Sequence, residues 1–154
     1  MRRISSRSWR QYRGQGSGVR DQKTENSPGV RKRTGKMVRS FRDLKVWQKS
    51  IQMTVAIYRL ARSFPRDETY GLTSQLKRSA VSVPSNIAEG HGRLNTPEYR
   101  HFIGIARGSN FELQTQLEIA RQLNLGDSRL VNEADERSHE VGKMIFGILE
   151  RIKA

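Results

Sequence analysis

From Phe41 onward, apolar residues recur every three or four positions and no stretch alternates convincingly with a period of two. That pattern predicts helices and no sheet. Ser40 and Asp43 have the spacing of a helix start, and Leu44, Trp47, Ile51, Val55 and Tyr58 follow at helical intervals until Phe64-Pro65. A second helix is expected from about Glu68 to Ala88, striped by Leu72, Leu76, Ala80, Val83 and Ile87. Pro84 should kink or break it, and Gly90 and Gly92 should end it in a left-handed cap. Thr96-Pro97-Glu98 reads as cap, first-position proline and first-turn acid of a third helix. Its stripe is Phe102, Ile105, Ser109, Leu113, Leu117 and Ala120, and Gly126 closes it. The last helix starts near Asp127-Ser128 and carries Leu130, Ala134, Val141, Ile145, Leu149 and Ile152. Short connections between four such helices predict an all-α, antiparallel up-down four-helix bundle over 40–154.

The first helix is apolar on two faces. At about 100° per residue, Leu44, Trp47, Ile51, Val55 and Tyr58 lie on one side, and Val46, Met53, Ile57 and Leu60 about 150° away. A lone bundle needs one stripe, so the second face (Val46, Met53, Ile57, Leu60) is expected to meet another subunit. Gly104 and Gly108 on helix 3, and Gly142 and Gly147 on helix 4, each cost about 1 kcal/mol relative to Ala. Close packing within the bundle is the expected reason, and close approach of a partner is the alternative.

Composition narrows the chemistry. The 154 residues include 29 Lys+Arg against 15 Asp+Glu, a net +14, and no Cys. One domain is expected. Thiol chemistry and disulfides are excluded. No run reaches the roughly 18 apolar residues that span a bilayer, so no membrane role is expected and the cytoplasm is the expected location. The charge is concentrated: residues 1–40 hold 12 basic residues and two acids, and the remainder 17 against 13. With so few aliphatic residues, 1–39 is expected to be a disordered basic tail. Three readings of it stay open. It is a nucleic-acid arm with Trp9 and Tyr12 as stacking platforms, a targeting peptide, or an over-extended start ahead of a true start near Met37.

Catalytic patterns fail. Glu98-x-x-His101 and Glu136-x-x-His139 have the spacing of di-iron bundles. Helix 1 has no Glu, however, and the two motifs fall about 25 Å apart along the bundle at 1.5 Å per residue. There is no phosphate-binding glycine loop and no nucleophile elbow. A non-enzyme with no cofactor and no metal is expected.

The stretch from Phe64 to Ala80, FPRDETYGLTSQLKRSA, and its continuation from Val81 to Arg93, VSVPSNIAEGHGR, resemble the bacterial four-helix bundle family that includes the 23S rRNA intervening-sequence proteins. Leu44-Lys45-Val46-Trp47-Gln48 and Ile105-Ala106-Arg107-Gly108-Ser109 with Glu112-Leu113 are similar to its flanking motifs. Asn110 stands where the family usually has Leu. The resemblance covers Phe41 to about Leu125. It implies homopentamers and an association with nucleic acid, chiefly RNA, in some bacteria from within an insertion in the 23S rRNA gene. It also implies accessory roles beside reverse transcriptases, and it brings no catalytic residues. Pro84, Asn86, Glu89, Gly90 and Gly92, in its most distinctive segment, are read as structural, serving breaks and caps.

The remaining candidates for phosphate contact are Lys45, Lys49, Arg59, Lys77, Arg78, Arg93, Arg100 and Arg107. One folded subunit at +4 is unremarkable, but five would carry +20, or +70 with the tails. Two functions follow: an oligomeric nucleic-acid-binding scaffold, or a protein adaptor whose positive surface docks an acidic partner.

Overall fold

The Ser40 hydroxyl accepts the Arg42 N–H at 3.2 Å and caps a 3-10 turn, Phe41–Asp43. In the computed structural model, which describes residues 40–69 and 71–152, four helices follow. They are α1 (Lys45–Ala61), α2 (Leu72–His91), α3 (Thr96–Gln122) and α4 (Ser128–Ile152), with a second 3-10 turn at Arg66–Thr69. The tail expected over 1–39, and the start expected near Met37, lie outside the described residues. Each helix packs on its chain neighbours and α1 closes against α4, so α1 and α3 stand diagonally across an up-down bundle.

The core is aliphatic. Met53, Ile57, Leu60, Leu76, Val83, Ile87, Ile103, Leu113, Leu117, Val141 and Ile145 are fully buried. Each contributes about 1.5–3 kcal/mol by leaving water.

This arrangement exchanges most of the two faces of α1, although Leu44 is buried and Trp47 packs against the core. Val46, Met53, Ile57 and Leu60, expected at a subunit interface, form the subunit's own core, while Ile51, Val55 and Tyr58 point outward. Both faces are apolar, so periodicity alone does not choose between them. The small residues beside the inner face do: Ser50, Ala56 and Ala61 are buried and let α2 and α4 approach. A similar shift occurs in α3, where Tyr99, Ile103 and Ala106 face inward and Ile105 is exposed.

α2 runs through Pro84 without a break. Proline has no N–H for the carbonyl four residues back, which is Ala80. The Thr54 hydroxyl on α1 lies within donating distance of the Ala80 oxygen, 2.8 Å, and equally close to the Ser50 carbonyl of its own helix. Ser85 and Asn86 bond the next two carbonyls, Val81 and Ser82, each at 2.8 Å. The expected cap glycines behave differently. Gly90 is inside the helix and buried, and a Cβ there would stand 3.0 Å from Phe102 and 3.2 Å from Tyr99. Gly92 is the C-cap, but in a right-handed conformation (φ −78°). Gly90 serves close approach of α3, and a Cβ at Gly92 would meet only the Glu89 and Ala88 carbonyls of its own helix, at 3.4 and 3.9 Å, so neither position uses left-handed geometry.

At the start of α3 the cap is Asn95, whose side chain accepts the Glu98 N–H at 2.9 Å. A positive φ of 77° occurs at Gly126, where a Cβ would also lie 2.6 Å from the Phe64 ring. The Ser63 hydroxyl accepts the Asp127 N–H at 3.0 Å beside it, tying the end of α1 to the α3–α4 turn.

Asn110 is fully buried between α3 and α4. Its amide donates to the Ser138 carbonyl at 3.0 Å, and its Oδ1 has no partner. The difference from the family's usual Leu therefore falls in the core.

Candidate nucleic-acid interface

The eight predicted basic residues separate into two groups. Arg59, Lys77 and Arg78 lie on the α1–α2 side. There Thr54, Val55, Tyr58, Arg59, Arg62 and Val81 line a groove of about 440 Å³. Lys77 Nζ sits 5.5 Å from the Tyr58 ring centroid, and Arg78 bonds Gln75. Arg62 belongs to this group but follows the last apolar position of helix 1, which is why the helical stripe does not point to it.

Lys45, Lys49, Arg93, Arg100 and Arg107 belong toward the opposite end, where α1 and α3 begin and α2 and α4 finish. Lys49 is engaged, 2.7 Å from Glu140 on α4. Arg93 pairs with Glu89 one turn earlier and lies over the Phe102 ring at 4.4 Å. Arg107 lies over Phe111 at 5.2 Å. Lys45 and Arg100 are exposed and form no ion pair among the described residues. Ser40, the first described residue, lies at this same end.

The charge of the bundle is lopsided. α1 carries Lys45, Lys49 and Arg59 and no acid, whereas in α4 five acids (Glu133, Asp135, Glu136, Glu140 and Glu150) outnumber four bases (Arg129, Arg137, Lys143 and Arg151). Surface pairs such as Arg121 with Asp135 (3.0 Å) and Arg137 with Glu133 (2.8 Å) neutralise much of the α3–α4 side. Hydrogen bonds from Gln122 and Arg121 hold the Glu118 carboxyl below its ordinary pKa.

The distinctive Pro84-to-Gly92 segment contributes packing. The Ser82 and Ser109 hydroxyls meet at 2.8 Å across the α2–α3 seam, Asn86 reaches the Ser82 hydroxyl at 3.0 Å, and Gln116 donates to Ser79 at 3.0 Å. The serine hydroxyls let these helices come close while bonding one another, and the Gln116 Oε1 beside them is left without a partner. His139 contacts Asp135 on its own helix, and no cluster of three metal-ligating side chains occurs among the described residues. No described helix is long and apolar enough to cross a membrane.

The profile of the family described as 23S rRNA-intervening sequence protein matches residues 42–147. The chain belongs to that family. Those residues span α1, α2, α3 and most of α4, so the 23S rRNA-intervening sequence protein match rests on the bundle itself. A solved structure with the same fold is a protein of unknown function from the S23 ribosomal protein family of Bacteroides thetaiotaomicron. It is 23% identical, with a TM-score of 0.62, and the alignment covers 68% of this chain and 97% of that one. No curated protein matches significantly.

Proposed function

We propose that this member of the 23S rRNA-intervening sequence protein family is a non-enzymatic, oligomeric scaffold that binds RNA through its phosphates, as a pentameric ring in the cytoplasm. The observation that carries the reading is the basic end of the bundle. Lys45 begins α1, Arg93 follows α2 and Arg100 lies in the second turn of α3, with Arg107 two turns further along it, and residues 1–40 of the sequence add a net +10. Repetition around a ring turns a modest subunit charge into a rim that attracts polyanions at long range. Such contacts read backbone and not bases, so little sequence preference is expected.

Titrating salt against binding of a generic single-stranded RNA tests this. Affinity should fall steeply, with log K declining by about 0.7 per phosphate contact for each unit of log salt. The double variant Arg100→Ala/Arg107→Ala should bind more weakly and with a shallower slope. Absence of binding at low salt would overturn the RNA role and leave the adaptor reading, in which the exposed surface serves a protein such as a reverse transcriptase.

A further inference from the structure

Where α3 turns into α4, at the end of the bundle opposite Lys45 and Arg100, the chain forms a pocket of about 320 Å³. Ala120 and Val131 are buried and, with Leu125, give it an apolar floor. Arg121, Asn124 and Asn132 stand around that floor. The volume falls at the small end of the range that holds organic ligands, about 300–1,000 Å³. The turn that shapes the pocket is braced from two sides. The Leu125 N–H returns to the Ala120 carbonyl at 2.8 Å, and the Asp127 N–H reaches the Ser63 hydroxyl at 3.0 Å.

The walls favour a neutral, flat ligand over an anion. The Arg121 guanidinium donates through one terminal nitrogen to Glu118 and through the other to Asp135, at 3.0 Å. Its charge is met, and what it still offers a ligand is chiefly its planar face, on which heterocycles stack. The Asp127 carboxylate accepts the Arg129 N–H at 2.8 Å at the start of α4, and a negative group beside the pocket opposes a phosphate inside it. Asn124 and Asn132 are different. Both are exposed, and neither carboxamide has a partner among the described residues. The left-handed backbone at Asn124 (φ 52°) accounts for asparagine there. No such need exists at Asn132, in the second turn of α4.

A carboxamide places an acceptor beside a donor group. Two carboxamides complement a ring whose edge presents acceptor, amino group and acceptor in sequence. Adenine does so through N7, N6 and N1. Cytosine has an acceptor on one side of its amino group only, and guanine and uracil put a carbonyl in the amino group's place.

We infer that this pocket is a nucleobase site selective for adenine. The ring lies on the apolar floor against the Arg121 plane, and Asn124 and Asn132 read its edges. Outside the pocket, the Arg129 side chain is 92% exposed and comes only within 3.8 Å of Asp127, which leaves it to the nucleotide's phosphate. The adenine belongs to a free nucleotide or to an unstacked residue of an RNA strand. In the second case the site rests on the RNA binding proposed above and adds a base preference that phosphate contacts do not supply.

Titrating the isotope-labelled full-length chain with the monophosphates of adenosine, cytidine, guanosine and uridine, followed by magnetic resonance, tests this. The adenosine nucleotide should shift the Asn132 side-chain amide and the Gly126 N–H, which also lines the pocket, and bind about tenfold tighter than the others. Asn132→Ala, at an exposed helical position, should keep its helical circular dichroism and remove the preference. Asn124→Gly retains the positive φ and should act the same way. Unmoved signals, equal affinity for the four nucleotides, or a preference that survives Asn132→Ala would overturn the inference. Oligoadenylate and oligouridylate then separate the two sources. A preference for oligoadenylate that Asn132→Ala removes puts the site on the path of an RNA strand. Equal binding of the two oligomers, beside selective binding of the adenosine nucleotide, assigns it to a free nucleotide. If neither oligomer binds at low salt, only the RNA reading sinks, because the mononucleotide titration decides the pocket by itself.

Discussion

Replacing Thr54 with Val keeps the side chain's shape and removes the hydroxyl placed to stand in for the N–H missing at Pro84. An unsatisfied, part-buried carbonyl costs about 1–3 kcal/mol, so Thr54→Val should destabilise the bundle by that amount. Pro84→Ala returns an N–H to the position from which a helix ordinarily bonds the Ala80 carbonyl. Its own effect mixes opposing terms: relief of a helix-interior proline, worth up to about 3 kcal/mol, against loss of about two buried methylenes, near 1.6 kcal/mol. The informative quantity is the coupling. With Ala at 84, the Ala80 oxygen no longer needs Thr54, and Thr54→Val should cost about 1–2 kcal/mol less than it does beside Pro84. Chemical denaturation of all four chains at one protein concentration measures it, since assembly would otherwise shift apparent stability. The Thr54 hydroxyl also lies 2.8 Å from the Ser50 carbonyl and has a single hydrogen to give. Equal cost of Thr54→Val in both backgrounds, within about 0.5 kcal/mol, would show that the hydrogen serves Ser50 and refute the replacement argument.

Asn110→Leu should raise stability by about 1–2 kcal/mol, because one hydrogen bond of about 1 kcal/mol is exchanged for a buried acceptor no longer orphaned and for apolar contact. A lower denaturation midpoint would show that the Ser138 bond matters more than the unsatisfied Oδ1. Burial raises the Tyr99 hydroxyl pKa, so above about pH 10 the unfolded chain loses that proton first and stability falls as pH rises further. Tyr99→Phe should flatten this alkaline loss in a pH series of urea melts, and an unchanged slope counts against it. Gly147→Ala puts a methyl where nothing lies within 4 Å and should add about 0.5–1 kcal/mol by helix propensity alone; destabilisation would reveal a contact with another chain.

The four helices and their order were legible because their stripes are long and their breaks carry Pro, Gly and capping side chains. Finer geometry was legible only where a local rule decides it. Gly126 follows from the turn it must make, whereas the Gly90 requirement comes from the Phe102 and Tyr99 side chains on another helix. The same division explains Pro84. Its missing N–H is written in the sequence, but the hydroxyl within reach of the freed Ala80 carbonyl comes from Thr54, 26 residues before Ala80. Nothing local to Pro84 announces that pairing. A break is the reasonable expectation for the segment alone, and only the neighbouring helix removes it.

The reversal on α1 has a related cause, and it bears directly on function. Counting apolar residues ranks Leu44-Trp47-Ile51-Val55-Tyr58 as the core because those residues are larger. The bundle instead buries the face whose edges are small, because Ser50, Ala56 and Ala61 allow two flanking helices to close at once. Large residues bordered by Arg59 and Arg62 suit a surface that another copy covers, where the charges stay near water or meet acids. A second apolar face was the ground for expecting association, and the size of the flanking residues, more than hydrophobicity, decides which face the subunit buries as its own core. If Ile51, Val55 and Tyr58 were replaced together by polar residues, this reasoning expects assembly to be lost while the bundle folds. The opposite outcome, a chain that unfolds while still associating, would return the core to the face that size alone had chosen.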